Sequence, residues 1–148
     1  MKKYLGAFCF FLLSIAFLGF NQAYAENVLE VDIVCPETVK VGDPLVVTVA
    51  NIHNDDLYNS VSIPKALVGF GGNMGNSVSG IGLFGPFSRD IGWSVGPGGT
   101  LSNPGTITII SKVPAALAGK VAMATVMFTT GNYKENLGSD GCGVNVIK

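Results

Sequence analysis

The stretch EVDIVCPETVKVGDPLVVTVAN, Glu30 to Asn51, holds two strand patterns joined by turn chemistry. Leu29, Val31, Ile33 and Cys35 share one face of the first pattern, with Glu30 and Asp32 opposite. That alternation predicts a half-buried strand. Pro36 has no amide hydrogen to give a ladder, so it turns the chain. Gly42-Asp43-Pro44 is a turn, and Leu45 to Ala50 then fits a strand buried at its centre.

Upstream of this stretch the composition changes. Lys2 and Lys3 precede an apolar run from Leu5 to Phe20, and Ala23-Tyr24-Ala25 follows with small-x-small spacing. This is the layout of a secretory signal peptide over residues 1–25. The run is shorter than the roughly 20 apolar residues a membrane span needs. Cleavage after Ala25 would leave Glu26 to Lys148, 123 residues, which suits one domain with its own core. No later stretch is long and apolar enough to predict a span.

The nine Lys and Arg fall to seven once Lys2 and Lys3 are removed, against ten Asp and Glu. A mildly acidic chain with scattered signs argues against nucleic acid as the main partner. Export also sets the cysteine chemistry. Cys35 and Cys142 remain after cleavage, and an even pair in an oxidising compartment predicts a disulfide. The expected location is secreted or periplasmic.

Further along, Ile52 to Asp56 reads as a polar turn and Leu57 to Ile63 as a strand that Pro64 stops. Ala66 to Phe70 suggests a short edge strand. Gly69 to Gly105 carries 12 of the 18 glycines that follow Ala25. A structureless loop of that length is rare in a compact domain, so strands are expected inside it. Ile81 to Phe84 and Ile91 to Val95 both alternate, with Pro86 to Asp90 connecting them as a hairpin. Gly96 to Gly99 and Asn103 to Gly105 are turns. Thr106 to Val113 is a strand rich in Ile and Thr, and Pro114 to Gly119 offers a single helical turn. Lys120 to Thr130 is largely apolar on both faces, as expected for a central strand or one covered twice. After a polar turn from Gly131 to Gly141, Cys142, Val144 and Val146 mark a last short strand.

Seven to eight strands with Gly/Pro turns and no long helix predict an all-β, antiparallel β-sandwich. The order resembles the immunoglobulin-like and fibronectin-type-III-like modules of exported bacterial proteins. The resemblance is carried by Val39-x-Val41-Gly42-Asp43-Pro44-Leu45-x-Val47-x-Val49-x-Asn51 and by Val113-Pro114 through Gly119-Lys120-Val121-Ala122. It implies that the first strand breaks and its second half pairs in parallel with the last strand. Cys35 at the Pro36 corner and Cys142 on the last strand would then meet at one end.

Fold resemblance implies no activity, and the residues offer little catalytic material. His53 is the lone histidine, and G-x-S-x-G, H-E-x-x-H and C-x-x-C are absent. Gly80 to Gly85 matches G-x-G-x-x-G but opens no helix, so it is not a dinucleotide motif. In such a sandwich Asn54, Asp55 and Asp56 would gather with Glu135 and Asp140 at one end. Calcium takes several oxygens of this kind, yet the spacing matches no calcium loop, and no metal or cofactor is expected. Phe70, Phe84, Phe87 and Trp93 supply aromatic faces on which a sugar or a partner could stack, with Arg89-Asp90 at the hairpin tip. Trp93 alternates with Ile91 and Val95, which assigns it to the core. The expected contact surface comprises Asp55, Asp56, Phe84, Phe87, Arg89 and Asp140. The function expected is non-enzymatic binding or scaffolding, with a protein or glycan outside the cytoplasm as partner. The alternative is a fibre subunit that assembles by strand addition.

Overall fold

Residues 27–72 and 84–148 are described by the computed structural model. Strand β1 (Leu29–Val34) buries Leu29, Val31 and Ile33 and exposes the residues between them. After the Pro36 corner, β2 (Thr38–Lys40) buries Val39. Gly42 then turns the chain with φ +91°, and its amide donates to the Val113 carbonyl at 2.9 Å. A side chain at that φ would be strained. Strand β3 (Leu45–Asn54) follows, then β4 (Val61–Gly72), β5 (Phe84–Val95) and β6 (Thr100–Ile110). A single 3₁₀ turn at Ala115–Leu117 leads into β7 (Val121–Thr129) and β8 (Asn136–Ile147).

Among the described residues these eight strands form two sheets. One has the order β1-β3-β6 and the other β2-β8-β7-β4-β5. Every pairing is antiparallel except β2 with β8, which is parallel in the register Thr38 to Asn145 through Lys40 to Ile147. The inner faces meet in one apolar core, so the fold is sandwich-like. Leu45, Val47 and Val49 of β3 oppose Val68, Phe70 and Phe128 of the other sheet, all with no exposed surface. Burial of side chains this large contributes about 2 to 3 kcal/mol each. Trp93 packs edge-on to Phe128, with ring centroids 6.0 Å apart.

The two cysteines lie where the broken first strand puts them. Cys35 sits at the corner between β1 and β2, and its sulfur is 1.99 Å from that of Cys142 on β8, with Cα atoms 5.8 Å apart. This geometry fits a disulfide. The signal-peptide residues lie outside the described residues, as do Ile81 to Leu83. No helix among the described residues is long and apolar enough to cross a membrane.

Several expected boundaries are corrected. β3 continues through Ile52 to Asn54, because Ile52 and the Asn54 side chain are both buried. Leu57 to Ser60 form a loop instead of a strand, and β4 begins at Val61. Pro64 does not end that strand. The β4–β5 register shifts between Ile63 and Lys65, so the missing donor falls at an irregularity. Ala66 to Phe70 are not at an edge, since β4 lies between β7 and β5. Pro86 to Asp90 run inside β5 and make no hairpin tip. Because β5 is the edge of its sheet, a proline there interrupts no second ladder. Asn103 to Gly105 lie within β6, opposite the register shift between Val49 and Asn51. β8 starts at Asn136, well before Cys142.

Candidate functional site

The loop between β3 and β4 is built from its buried first residue outward. The Asn54 side chain has no exposed surface, and a buried amide must find partners. Its Nδ2 donates to the Asn59 carbonyl at 2.8 Å and to the Gly96 carbonyl at 2.9 Å. Its Oδ1 accepts from the Asp56 amide at 3.0 Å. Asp56 then folds the tip around its own carboxylate. Oδ1 accepts from the amides of Tyr58 at 2.8 Å and Asn59 at 2.9 Å, and Oδ2 accepts from Asn59 Nδ2 at 2.9 Å. This is the local turn chemistry that aspartate favours.

Those donors hold the Asp56 carboxyl below the usual carboxylate range, the Asn59 side chain first and the two amides after it. A depressed folded value stabilises the loop above the unfolded value, about 3.9 for Asp, and that support is lost as pH falls through the folded value. Protection of the Tyr58 and Asn59 amides, taken against intrinsic exchange at each pH, should therefore fall on acidification below about pH 4. In Asp56→Asn the same amides should show no such acid step. An acid step of equal size in the variant would assign it to another group.

Neighbouring segments anchor the loop. The Asp55 amide donates to the Val28 carbonyl at 3.0 Å, and the Gly98 amide donates to the Asp56 carbonyl at 2.8 Å. The loop, the Gly96 to Gly99 turn and the residues before β1 thus form one end of the fold. Asn27, Val28, Asp55 and Asp56 line a shallow depression there. Beside it Leu57 is 69% exposed and Tyr58 88% exposed. His53 lies on β3, where its Nδ1 is 2.8 Å from Thr100 Oγ1 and its Nε2 is 3.7 Å from Asp55 Oδ1. It is a strand residue and not the turn residue expected.

The remaining surface residues occupy two other places. Arg89, from mid-β5, reaches across to the other sheet. Its Nε donates to the Thr108 carbonyl at 2.7 Å and its Nη2 to the Ile109 carbonyl at 3.0 Å. It covers acceptors along β6, itself an edge strand, as edge strands need. The Arg89 guanidinium also lies 5.6 Å from the ring centre of Phe87. Phe84 starts β5 and packs partly against the core. Nearby, Lys65 pairs with Asp90, whose hydrogen bond and charge raise the lysine above its usual value, with Tyr133 adding to the shift. Ser88 Oγ meets Tyr133 OH at 2.7 Å.

Asp140 lies on β8, away from the loop. Its Oδ2 accepts from the Ile33 amide at 2.8 Å, where the β1–β3 register shifts, and its Oδ1 accepts from the Gly141 amide at 2.8 Å. It ties β8 to β1. Among the described residues no three His, Cys, Asp or Glu come together in a way that could hold a metal. The structure therefore gathers Asp55 with Asp56, and Phe87 with Arg89, as two separate groups.

Sequence reasoning missed Leu57 and Tyr58, whose spacing imitates a strand. The available signal was their setting in Asn54-Asp55-Asp56-Leu57-Tyr58-Asn59-Ser60, where Asx-turn residues bracket the apolar pair.

Fold and site together define an all-β, sandwich-like chain that presents an ordered loop at one end. No protein-family model matches the chain, and no curated protein matches it. Among solved structures, the chain is similar to Spo0M, a sporulation control protein from Bacillus subtilis, at 12% identity and a TM-score of 0.52. That match covers 83% of this chain and 51% of Spo0M. The chain is also similar to a Paenibacillus cycloisomaltooligosaccharide glucanotransferase complexed with cycloisomaltoheptaose, at 16% identity and a TM-score of 0.48. There it covers 80% of this chain and 14% of the enzyme. The chain thus spans about half of the first protein and a small part of the second. The likeness to Spo0M bears on the fold alone.

Proposed function

We propose that this chain is an exported, non-enzymatic binding module of immunoglobulin-like architecture, which engages its partner through the loop from Asp55 to Ser60. The observation that carries this reading is the exposure of Leu57 and Tyr58 on a loop tied down by Asn54 and Asp56. An apolar pair in water has no folding benefit, and an ordered loop loses little entropy when it binds. Loops on a rigid scaffold are also where binding most often resides. The immunoglobulin-like assignment is supported by the split first strand and by the parallel β2–β8 pair. Export is supported by the signal-peptide pattern over residues 1–25 and by the bonding distance of Cys35 and Cys142. The folded domain is assigned to residues 26–148.

Strand addition into a fibre draws less support. Gly138 of β8 abuts Leu29 on one edge of the three-stranded sheet, and Arg89 covers carbonyls on the other. Both features discourage a new strand.

The test is the double substitution Leu57→Ser with Tyr58→Ser. Exposed substitutions of this kind change stability by only about 0.5 kcal/mol, so the variant should melt with the wild type. A component of the exported fraction retained by the wild type should be lost by the variant. Equal retention by both would overturn the reading.

A further inference from the structure

We infer that the partner of this loop is a protein segment that carries an arginine or lysine beside an aliphatic side chain. The inference rests on the reading of the loop as the binding surface and decides what chemistry fits it.

The choice between protein and glycan follows from the exposed apolar pair and from the charge beside it. A sugar is held by side chains with free donors and acceptors for its hydroxyls, around an aromatic face. In this loop the Asn54 amide, the Asp56 carboxylate and the Asn59 amide group hydrogen-bond within the loop and its neighbouring turn. The exposed side chains are Leu57 and Tyr58, with Asp55, Asn59 and Ser60 beside them. Tyr58 and Leu57 stand out, and Leu57 leans on the neighbouring turn, where a Cβ added at Gly98 would lie 3.0 Å from its Cδ2. Leu57 thus offers an aliphatic side chain of the partner an apolar contact.

Charge supplies the second half. Asp55 is exposed beside the pair, and Asp56 is held in its ionised form by the hydrogen bonds it accepts. Asn27, Val28, Asn54 to Ser60 and Gly96 to Gly99 contain neither lysine nor arginine. The surface thus sets an apolar pair beside negative charge, and an anionic membrane would be repelled. A guanidinium stacked on the Tyr58 ring would gain a cation–π contact and could reach the Asp55 carboxylate. Preorganisation lowers the ordering cost on this side of the contact.

The test pans a library of random 12-residue peptides against the oxidised chain and, in parallel, against the Leu57→Ser, Tyr58→Ser variant. A glycan array serves as the second probe. The expected peptides carry net positive charge with a basic residue next to an aliphatic one, and the variant should not retain them. Their affinity should fall about tenfold between 50 mM and 500 mM salt, as screened charge pairs require. Neutral or acidic peptides, or glycans, that bind only when Leu57 and Tyr58 are present would overturn this inference and leave the loop as the binding surface. Ligands retained equally by the variant, or no retention at all, would overturn both.

Discussion

Opening the Cys35–Cys142 bridge should lower the unfolding free energy by about 4 to 5 kcal/mol, because the bridge closes a loop of about a hundred residues. The two residues are 107 positions apart, so most of the described chain lies inside the closed loop. In the chain-entropy treatment, the denatured ensemble loses freedom on cross-linking and the folded state loses little. The native placement of the bridge favours a full effect. Cys35 lies at the corner where the chain leaves the three-stranded sheet and enters the five-stranded one, and Cys142 sits on β8 between β2 and β7. The bridge therefore pins a crossover between sheets and does not repeat a hydrogen-bonded ladder. For a domain of this size the expected fall in melting temperature is roughly 15 °C. Thermal unfolding of the native protein with and without reductant measures it, and Cys35→Ser with Cys142→Ser should reproduce the reduced value. Equal melting temperatures would remove the stabilising role assigned to the bridge.

What could be read from the residues follows the strength of each local signal. β1 was legible because Leu29, Val31 and Ile33 alternate with charged residues, and only one strand face can be buried. The parallel pairing of β2 with β8 was legible through the fold resemblance, and the positions of the two cysteines agree with it. The Ala115–Leu117 turn and the Gly96–Gly99 turn were legible because their residues permit little else.

Most of the misses share a cause: turn residues placed inside strands. Pro64, Pro86 and Asn103-Pro104-Gly105 all signal a break, yet each lies in a strand, at a register shift or on an edge. No local pattern says whether a proline's missing amide hydrogen would have had a partner. That is settled by the neighbouring strand, far away in sequence. Arg89 was misplaced for the same reason. As a presumed hairpin tip it suggested an exposed contact, and only the crossing of β5 over β6 reveals the carbonyls it covers. Asp140 likewise answers an unpaired amide on β1 that lies 107 residues away. The loop from Asp55 to Ser60 was hidden by a different effect, since Leu57, Val61 and Ile63 keep a strand-like parity while Asn54 and Asp56 fold the backbone between them.

Gly138→Ala should be strongly destabilising. An added Cβ would run into the Leu29 carbonyl oxygen and lie 2.9 Å from the Leu29 Cβ and 3.0 Å from Val31 Cγ2. The nearest obstacle is backbone, so no rotamer change relieves the clash. Gly138 pairs with Phe128 in one sheet while touching β1 of the other. It therefore sits at the seam where the two sheets meet, and the added methyl group must push β1 outward or lift β8 from β7. Overpacking of this kind costs about 3 kcal/mol where the backbone itself must move. Gly143→Ala on the same strand is the control, since its Cβ would meet only Val121 Cγ1 at 3.7 Å, an ordinary contact. Denaturant titration should show a large loss for Gly138→Ala and almost none for Gly143→Ala. Hydrogen exchange should place the damage in the β1 amides, with β4 and β7 still protected. Equal stability of the two variants would mean that β8 and β1 do not approach so closely, and the seam between the sheets would have to be drawn elsewhere.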